Sequence, residues 1–389
     1  MKFARMRWVL RVGLLLCATL VGPPALCAEG TPATTAAPPA NAPATPVDQP
    51  DFGPPGPKPV PPARPPFKPK YALVLPIESP AFARAAQAVK AGFIAASEAA
   101  QEKSAVLSFT HSDSGVVEAY EQAAASGAAI IVGPLVRDDL KQLLAARSRF
   151  PLTLALNQPD DSEPLPRNLY TYALAIESEA RQLAQTMRQE GLQRVAIIAD
   201  TGALQRRLQA AFTQEWERRG GRVVGLYPYY SEPAAIRGTR AEIDKTDADC
   251  LLLALDYEQA RQVRGYLSTR PAYASSLVYD GAHSMGYSEL NNVRPIEMPW
   301  LAQPDHAAVM AYPRANLGDL SLERLYALGV DAFRLAHQLA NGDAPEAINL
   351  DGVTGRIFSS GRQRYTREGV VLLIRDGQAT APEAAAPAQ

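Results

Sequence analysis

Polar side chains follow several short apolar runs of the sequence, at the points where each run gives way to a helical pattern. In open α/β sheets, ligands collect beyond the carboxyl ends of the strands, where loops turn into helices. Each of these residues also has an explanation without a ligand, because such side chains can cap the following helix or form a turn. The candidate ligand-binding residues are Glu78, Ser79, Asp113, Ser114, Gly133, Pro134, Asn157, Gln158, Asp200, Thr201, Asp256, Tyr257 and Asp280.

Catalytic patterns are weak throughout the sequence. It has no Gly-x-Ser-x-Gly elbow, no Gly-x-x-x-x-Gly-Lys phosphate loop and no Gly-x-Gly-x-x-Gly fingerprint after a strand. The four histidines fall in different segments and lack the spacing of metal ligands. His111 lies near Asp113 and Ser114, but such close neighbours need a third element to make a working site. We therefore predict no catalytic residue, no metal and no cofactor, and a protein that is not an enzyme.

The charge balance argues against nucleic acid as a partner. The 389 residues include 39 Lys and Arg against 40 Asp and Glu, a formal net charge of -1. Binding to a phosphate backbone needs an excess of positive charge, which this chain lacks. With 47% hydrophobic and 20% charged residues, the chain has a globular composition and enough length for two packed cores.

The first 28 residues have the layout of a secretory signal peptide. Basic residues in the first eleven positions precede an apolar run over residues 12–21. That run is shorter than the roughly 18 apolar residues of a membrane-spanning helix. We therefore expect export to the periplasm and cleavage near Cys27 or Ala28. Lipidation of Cys27, with outer-membrane anchoring, is the alternative, but Leu26 stands where bacterial lipoprotein signals place a small residue.

Residues 29–70 are predicted to form a disordered linker rich in Pro and Ala. Between residues 22 and 70 lie 17 of the 34 prolines, with too few large apolar side chains to build a core. Residues 379–389 are also rich in Ala and Pro and are predicted to be a frayed tail. The folded domain should therefore span residues 71–378. Cys250, in a strand-like run of this domain, is expected to be buried and without a disulfide partner.

From Tyr71 onward, short apolar runs alternate with helical patterns. Repeated βα units of this kind imply parallel sheets with helices on both faces. A polar break at residues 157–167, followed by a fresh βα series, indicates two doubly wound lobes. We expect a first lobe of residues 71–173 and 305–350, and a second lobe of residues 174–304 and part of 351–378. Strands are predicted near residues 71–76, 105–109, 129–132, 152–155, 195–199, 222–227, 250–255, 276–279, 356–358 and 370–374.

Five runs of the sequence resemble the carboxy-terminal domain of the LppC/LpoA family, the penicillin-binding protein activators. The runs Val132-Gly133-Pro134-Leu135 and Ala155-Leu156-Asn157-Gln158-Pro159 are the more specific ones when they occur in this order. The remaining runs lie at residues 71–76, 210–216 and 325–333. The resemblance covers nearly all of residues 71–378. The larger family members also carry an amino-terminal helical-repeat domain. In this chain the Pro-rich linker stands in place of that domain.

The resemblance implies an α/β fold of the type I periplasmic-binding-protein kind, with two doubly wound parallel-sheet lobes. It also implies a non-catalytic activator of a class A penicillin-binding protein, the bifunctional peptidoglycan synthase, acting by protein docking. A periplasmic receptor for a small, amino-acid-like solute is the alternative. In that receptor Asp113, Ser114, Asn157 and Asp256 would be the first ligands to test.

Overall fold

The structure is a computed structural model that describes residues 69–159, 164–267, 269–281 and 285–381. The predicted signal peptide with Cys27, nearly all of the predicted linker and residues 382–389 of the predicted tail lie outside these ranges. None of the helices within the described ranges combines the length and the apolar character that a membrane crossing requires.

Among the described residues, eight strands form a first sheet in the order β11-β12-β13-β5-β4-β3-β1-β2. Strands β1 to β5 run parallel, β13 joins β5 in parallel, and β11, β12 and β13 pair antiparallel at one side. The five residues of β1 are all buried, as expected for a central strand covered on both faces. The strands are β1 (Tyr71–Leu75), β2 (Val106–Thr110), β3 (Ile130–Val132), β4 (Thr153–Ala155), β5 (Leu169–Tyr172), β11 (Asn349–Asp351), β12 (Arg356–Ser359) and β13 (Arg364–Glu368).

A second sheet has the order β14-β10-β9-β8-β6-β7 and is parallel except for β14. Cys250 is buried in β8, as predicted, and burial raises the pKa of its thiol to about 12. The strands are β6 (Arg194–Ala199), β7 (Arg222–Pro228), β8 (Cys250–Ala254), β9 (Ala272–Ala274), β10 (Val293–Glu297) and β14 (Val370–Val371), and β15 (Leu373–Arg375) and β16 (Gln378–Thr380) form a separate hairpin. Two separate α/β sheets confirm the predicted fold class.

Helices cover the faces of both sheets, and their apolar sides form the cores. The long helix α10 returns to the first sheet and packs against α1, where Gly92 and Gly329 let the two backbones approach closely. The α-helices of the described residues are α1 (Ala83–Ala99), α2 (Val116–Ala125), α3 (Arg137–Ala146), α4 (Ile176–Gln189), α5 (Ala203–Arg218), α6 (Pro233–Asp244), α7 (Tyr257–Arg264), α8 (Pro299–Ala302), α9 (Ala307–Met310) and α10 (Leu320–Ala340).

Some local predictions were wrong. The strand expected at residues 276–279 is a 3₁₀ turn, Ser276–Val278, which follows the strand β9 and is capped by the Ser275 hydroxyl. The strands β5, β9, β10, β11, β13 and β16 were not predicted. The first lobe was predicted to end at residue 350, but strands β12 and β13 extend the first sheet to Glu368. Residues 379 and 380 belong to β16, so the predicted start of the tail at 379 falls within folded structure.

Candidate functional site

Within the described residues, the chain passes between the two sheets at three places. The first crossing joins β5 to α4, the second joins β10 to α8, and the third lies at Gly369 between β13 and β14. With three short connections, the two lobes face each other across a cleft. Candidate functional residues are therefore those whose side chains reach this cleft from both sides.

A cavity of about 490 Å³ lies between the lobes. Its first-lobe wall comes from the start of α1, from the loop after β3 and from the loop after β4. Its second-lobe wall includes Arg207 of α5, and the crossing at residues 173–175 lies beside it. Most of the lining is apolar. The lining residues are Phe82, Ala85, Leu135, Val136, Arg137, Asp138, Leu156, Asn157, Ala173, Leu174, Ala175, Arg207 and Leu325.

A smaller cavity of about 240 Å³ shares Arg137 and Arg207 with the first, and a larger share of its lining residues is charged or carries an amide. The guanidinium of Arg207 holds the Glu177 carboxylate with two hydrogen bonds, from Nε to Oε1 at 2.7 Å and from Nη2 to Oε2 at 2.9 Å. The two cavities therefore form one cleft with an apolar half and a cationic half. The smaller cavity is lined by Arg137, Gln158, Pro159, Glu177, Arg181, Arg207, Ala210, Ala211 and Gln214.

The predicted residues of the Gly-Pro and Asn-Gln loops lie next to this cleft. Asn157 and Gln158 line it, and the Asn157 amide donates a hydrogen bond of 2.9 Å to the carbonyl of Leu135. Pro134 is buried and accepts a backbone hydrogen bond from Leu156 at 2.9 Å. Gly133 has a φ of +115°, and a Cβ there would lie 2.1 Å from the Val74 carbonyl oxygen. Only glycine can therefore hold this loop against β1.

Like Gly133 and Pro134, four further predicted residues of the first lobe line neither cavity. Ser79 is buried, and its hydroxyl accepts a hydrogen bond of 3.2 Å from the Phe82 N–H at the start of α1. The Glu78 carboxylate accepts a hydrogen bond from the Thr110 hydroxyl. Asp113 and Ser114 are exposed in the loop before α2. At Ser79 the structure thus supports the turn explanation given for such positions.

The predicted second-lobe residues also lie outside both cavities. Asp256 caps α7 in a reciprocal box, accepting from the Gln259 N–H at 2.9 Å while the Gln259 amide oxygen accepts from the Asp256 N–H at 3.0 Å. A hydrogen bond from Gln259, followed by the N–H groups of Thr201 and Gly202, lowers the pKa of the Asp200 carboxyl. The aromatic ring of Tyr257 packs edge-on against Tyr287, and Tyr287 also accepts a hydrogen bond of 2.8 Å from the Asp280 N–H.

Replacing Asp256 by alanine is expected to lower the free energy of unfolding by about 1 kcal/mol, because α7 loses its cap. The matched Asp113→Ala change removes an exposed aspartate that is not at a helix cap, and it should stay within about 0.5 kcal/mol of the wild type. Urea denaturation followed by circular dichroism measures both. Equal stability of the two variants would contradict the capping role of Asp256.

The cleft also contains functional candidates that were not predicted from the sequence. Arg137 begins α3 and Arg207 lies in α5, both within helices, whereas the prediction considered only loops after strands. Phe82 is 41% exposed at the cleft, just before α1. In the sequence, the position of Arg137 three residues after Pro134 could have indicated that Arg137 belongs to the candidate site.

Buried charges join the lobes where the chain crosses between them. Arg367 of β13 donates from Nη2 to Oε1 of Glu179 in α4 at 2.6 Å, and from Nη1 to the Thr354 carbonyl at 3.1 Å. Glu179 also accepts from the N–H and hydroxyl of Ser276, at 2.9 and 3.0 Å. The Arg367 and Glu179 side chains are only 3% and 6% exposed. Each charge is thus balanced by a partner from the other lobe.

A second ion pair links Glu297 of β10 with Arg324 of α10. Arg324 also donates to the Ser276 carbonyl at 3.1 Å, so both pairs meet at the same turn. At the third crossing, the Gln182 side chain exchanges two hydrogen bonds with the backbone of Gly369, at 2.7 and 2.9 Å. Changing the angle between the lobes would strain these buried contacts. No group of three or more His, Cys, Asp or Glu side chains able to hold a metal occurs in the described part of the chain.

Two α/β lobes, three crossings and a cleft lined from both sides define a periplasmic-binding-protein-like domain. The sequence model of the family described as "LppC putative lipoprotein" matches residues 68–369, and the chain belongs to this family. The chain is 26% identical over 309 residues to the penicillin-binding protein activator LpoA of Yersinia pseudotuberculosis, covering 66% of this chain and 46% of that protein. The LpoA of Klebsiella pneumoniae is 28% identical over 277 residues, covering 61% and 39%. The chain thus spans less than half the length of these two relatives.

Solved structures share the fold. The C-domain of Haemophilus influenzae LpoA, described as a regulator of PBP1A, aligns with a TM-score of 0.68 at 23% identity, covering 80% of this chain and 99% of that one. A protein of Chromobacterium violaceum, described as "a putative branched-chain amino acid ABC transporter", aligns with a TM-score of 0.68 at 34% identity, covering 79% of this chain and 100% of that one.

Proposed function

We propose that this protein is a non-catalytic activator of a class A penicillin-binding protein, the bifunctional synthase of peptidoglycan. The observation that carries the proposal is the family match over residues 68–369, the region that folds into the two lobes. Relatives that match this region bear the name penicillin-binding protein activator. The proposed site of action is the periplasm, in agreement with the signal-like sequence at the amino terminus.

The activator changes the synthase by binding its conformations with different affinities. A regulator that binds the active state tenfold more tightly shifts the equilibrium toward that state tenfold, which corresponds to about 1.4 kcal/mol. Such a mechanism requires a stable surface on the activator and no residue that makes or breaks bonds. The buried ion pairs at the lobe crossings suit this mechanism, because they fasten the two lobes to each other.

A periplasmic receptor for a small, amino-acid-like solute is the second candidate. The similarity to the Chromobacterium violaceum protein favours it, together with the size of the inter-lobe cavity, about 490 Å³. A receptor of this fold class binds its ligand by closing the lobes, and the ligand then stabilises the closed form. The activator is the preferred function, because the family model matches most of the chain and the named relatives are penicillin-binding protein activators.

One pair of measurements separates the two candidates. The mature chain, from residue 29 onward, is titrated with the purified class A synthase of the same cell, and its thermal unfolding is recorded with and without the twenty amino acids. We expect saturable binding to the synthase and no amino acid that raises the unfolding temperature by more than about 1 °C. Stabilisation by an amino acid without binding to the synthase would favour the receptor.

A further inference from the structure

Large apolar side chains are exposed at the cleft in the first lobe and on the helix that lines the cleft in the second lobe. Phe82 projects from the first lobe at 41% exposure, and Leu204 of α5 is 44% exposed in the second lobe. Leu204 precedes Arg207 by three residues, and residues three apart share one face of a helix. The apolar surface of Leu204 is therefore close to the cleft that Arg207 lines. Exposed apolar side chains that flank a groove are typical of a surface that binds a partner.

The cationic half of the cleft is built around Arg207. Its Nε and Nη2 bind Glu177, which fixes the guanidinium plane, and Nη1 has no hydrogen-bond partner among the described residues. Arg137 and Arg181 add two guanidinium groups, each with contacts of its own inside the protein. Across the two cavities, three arginines face Asp138 and Glu177, whereas the whole chain has a net charge of -1. The cleft is therefore locally positive.

The buried pairs Arg367–Glu179 and Arg324–Glu297 fasten the two lobes to each other at the crossings. Ligand pockets typically bury about 70–90% of the surface of a small ligand. The inter-lobe cleft is open to solvent, and Phe82 is exposed at its edge. Such a groove suits a segment of a larger body, which enters the groove while the rest of that body stays outside. This geometry favours a protein segment over a free solute.

We propose that the inter-lobe cleft is the docking surface for the synthase, and that it binds a partner segment in which large apolar side chains stand beside carboxylates. The apolar residues of the segment pack against Phe82 and Leu204, and a carboxylate pairs with Nη1 of Arg207 and with Arg137. This inference rests on the proposed function, because it names the surface through which the activator would act.

Two cleft variants test the inference. Phe82→Ala removes the apolar side chain, and Arg137→Glu reverses the charge at the first position of α3, where a carboxylate suits the helix dipole. Circular dichroism checks that each variant is folded before binding is measured. The matched controls are Leu226→Ala and Arg237→Glu, which change an exposed large apolar residue and an exposed arginine outside both cavities. Binding of the mature chain to the purified class A synthase is measured by biolayer interferometry.

We expect each cleft variant to weaken binding by at least about tenfold, while each control stays within about twofold of the wild type. Wild-type binding should also weaken when NaCl is raised from about 50 to about 300 mM, and Arg137→Glu should reduce that dependence. If the wild type binds and the cleft variants bind equally well, the docking surface is wrong but the activator function stands. If the wild type does not bind at all, the proposed function itself is overturned.

Discussion

Replacing Arg367 by methionine is expected to lower the free energy of unfolding by about 3–5 kcal/mol. The change removes a buried cation whose 2.6 Å bond to Glu179 joins β13 to α4, and it leaves the Glu179 carboxylate with Ser276 alone. An uncompensated buried charge is far more costly than the loss of a surface ion pair. Urea denaturation followed by circular dichroism measures the effect.

The matched control is the double variant Arg367→Met with Glu179→Gln, which also removes the charge that is left unpaired. It should recover a substantial part of the lost stability, because a neutral amide costs less to bury than a carboxylate. Arg222→Met gives a surface comparison, since the Arg222 ion pair is largely exposed and should contribute less than about 1 kcal/mol. A loss below about 1 kcal/mol for Arg367→Met would contradict the inter-lobe role of the pair.

Replacing Gly329 by alanine is expected to lower the free energy of unfolding by more than about 3 kcal/mol, at the upper end of overpacking effects. A Cβ at Gly329 of α10 would lie 2.0 Å from the Val89 carbonyl oxygen of α1, and a Cβ at Gly92 would lie 1.9 Å from the Tyr326 carbonyl oxygen. Both obstacles are backbone atoms, so no side chain can move aside. The two helices would have to separate, which disrupts the core of the first lobe.

Gly238→Ala provides the control for helix propensity. Gly238 lies inside α6, and a Cβ there meets no atom within 4 Å. Alanine should therefore stabilise the protein by about 0.5–1 kcal/mol, the usual gain over glycine in a helix. If both glycine variants raised the stability, the close approach of α1 and α10 would not limit the packing of the first lobe.

The sequence predicted the fold class because apolar runs such as Tyr71–Leu75 and Cys250–Ala254 are fully buried strands, which have a clear hydrophobic signature. The sequence did not predict strands whose buried residues are not apolar. Strand β13 carries two arginines and a glutamate, yet Arg364 and Arg367 are buried in it, so no apolar run marks the strand. The run at Ser276–Val278 is apolar enough for a strand but forms a capped turn.

The candidate site was predicted only in part for a related reason. Asn157 and Gln158 follow a strand and line the cleft, as the rule for α/β sheets predicts. Arg207 reaches the same cleft from the side of a helix in the other lobe, and only the packing of the lobes brings it there. The pair Arg367–Glu179 joins residues 188 positions apart, a separation that no local pattern can indicate.

The activator function is tested by the rate of peptidoglycan synthesis by the purified class A synthase, measured against the concentration of the mature protein. We expect a rise in glycan polymerisation or peptide crosslinking that saturates at one activator per synthase, with no synthesis by the activator alone. Arg137→Glu should need a higher concentration to reach the same plateau. If saturating, correctly folded protein left the rate of the synthase unchanged, this protein would not be an activator of that synthase.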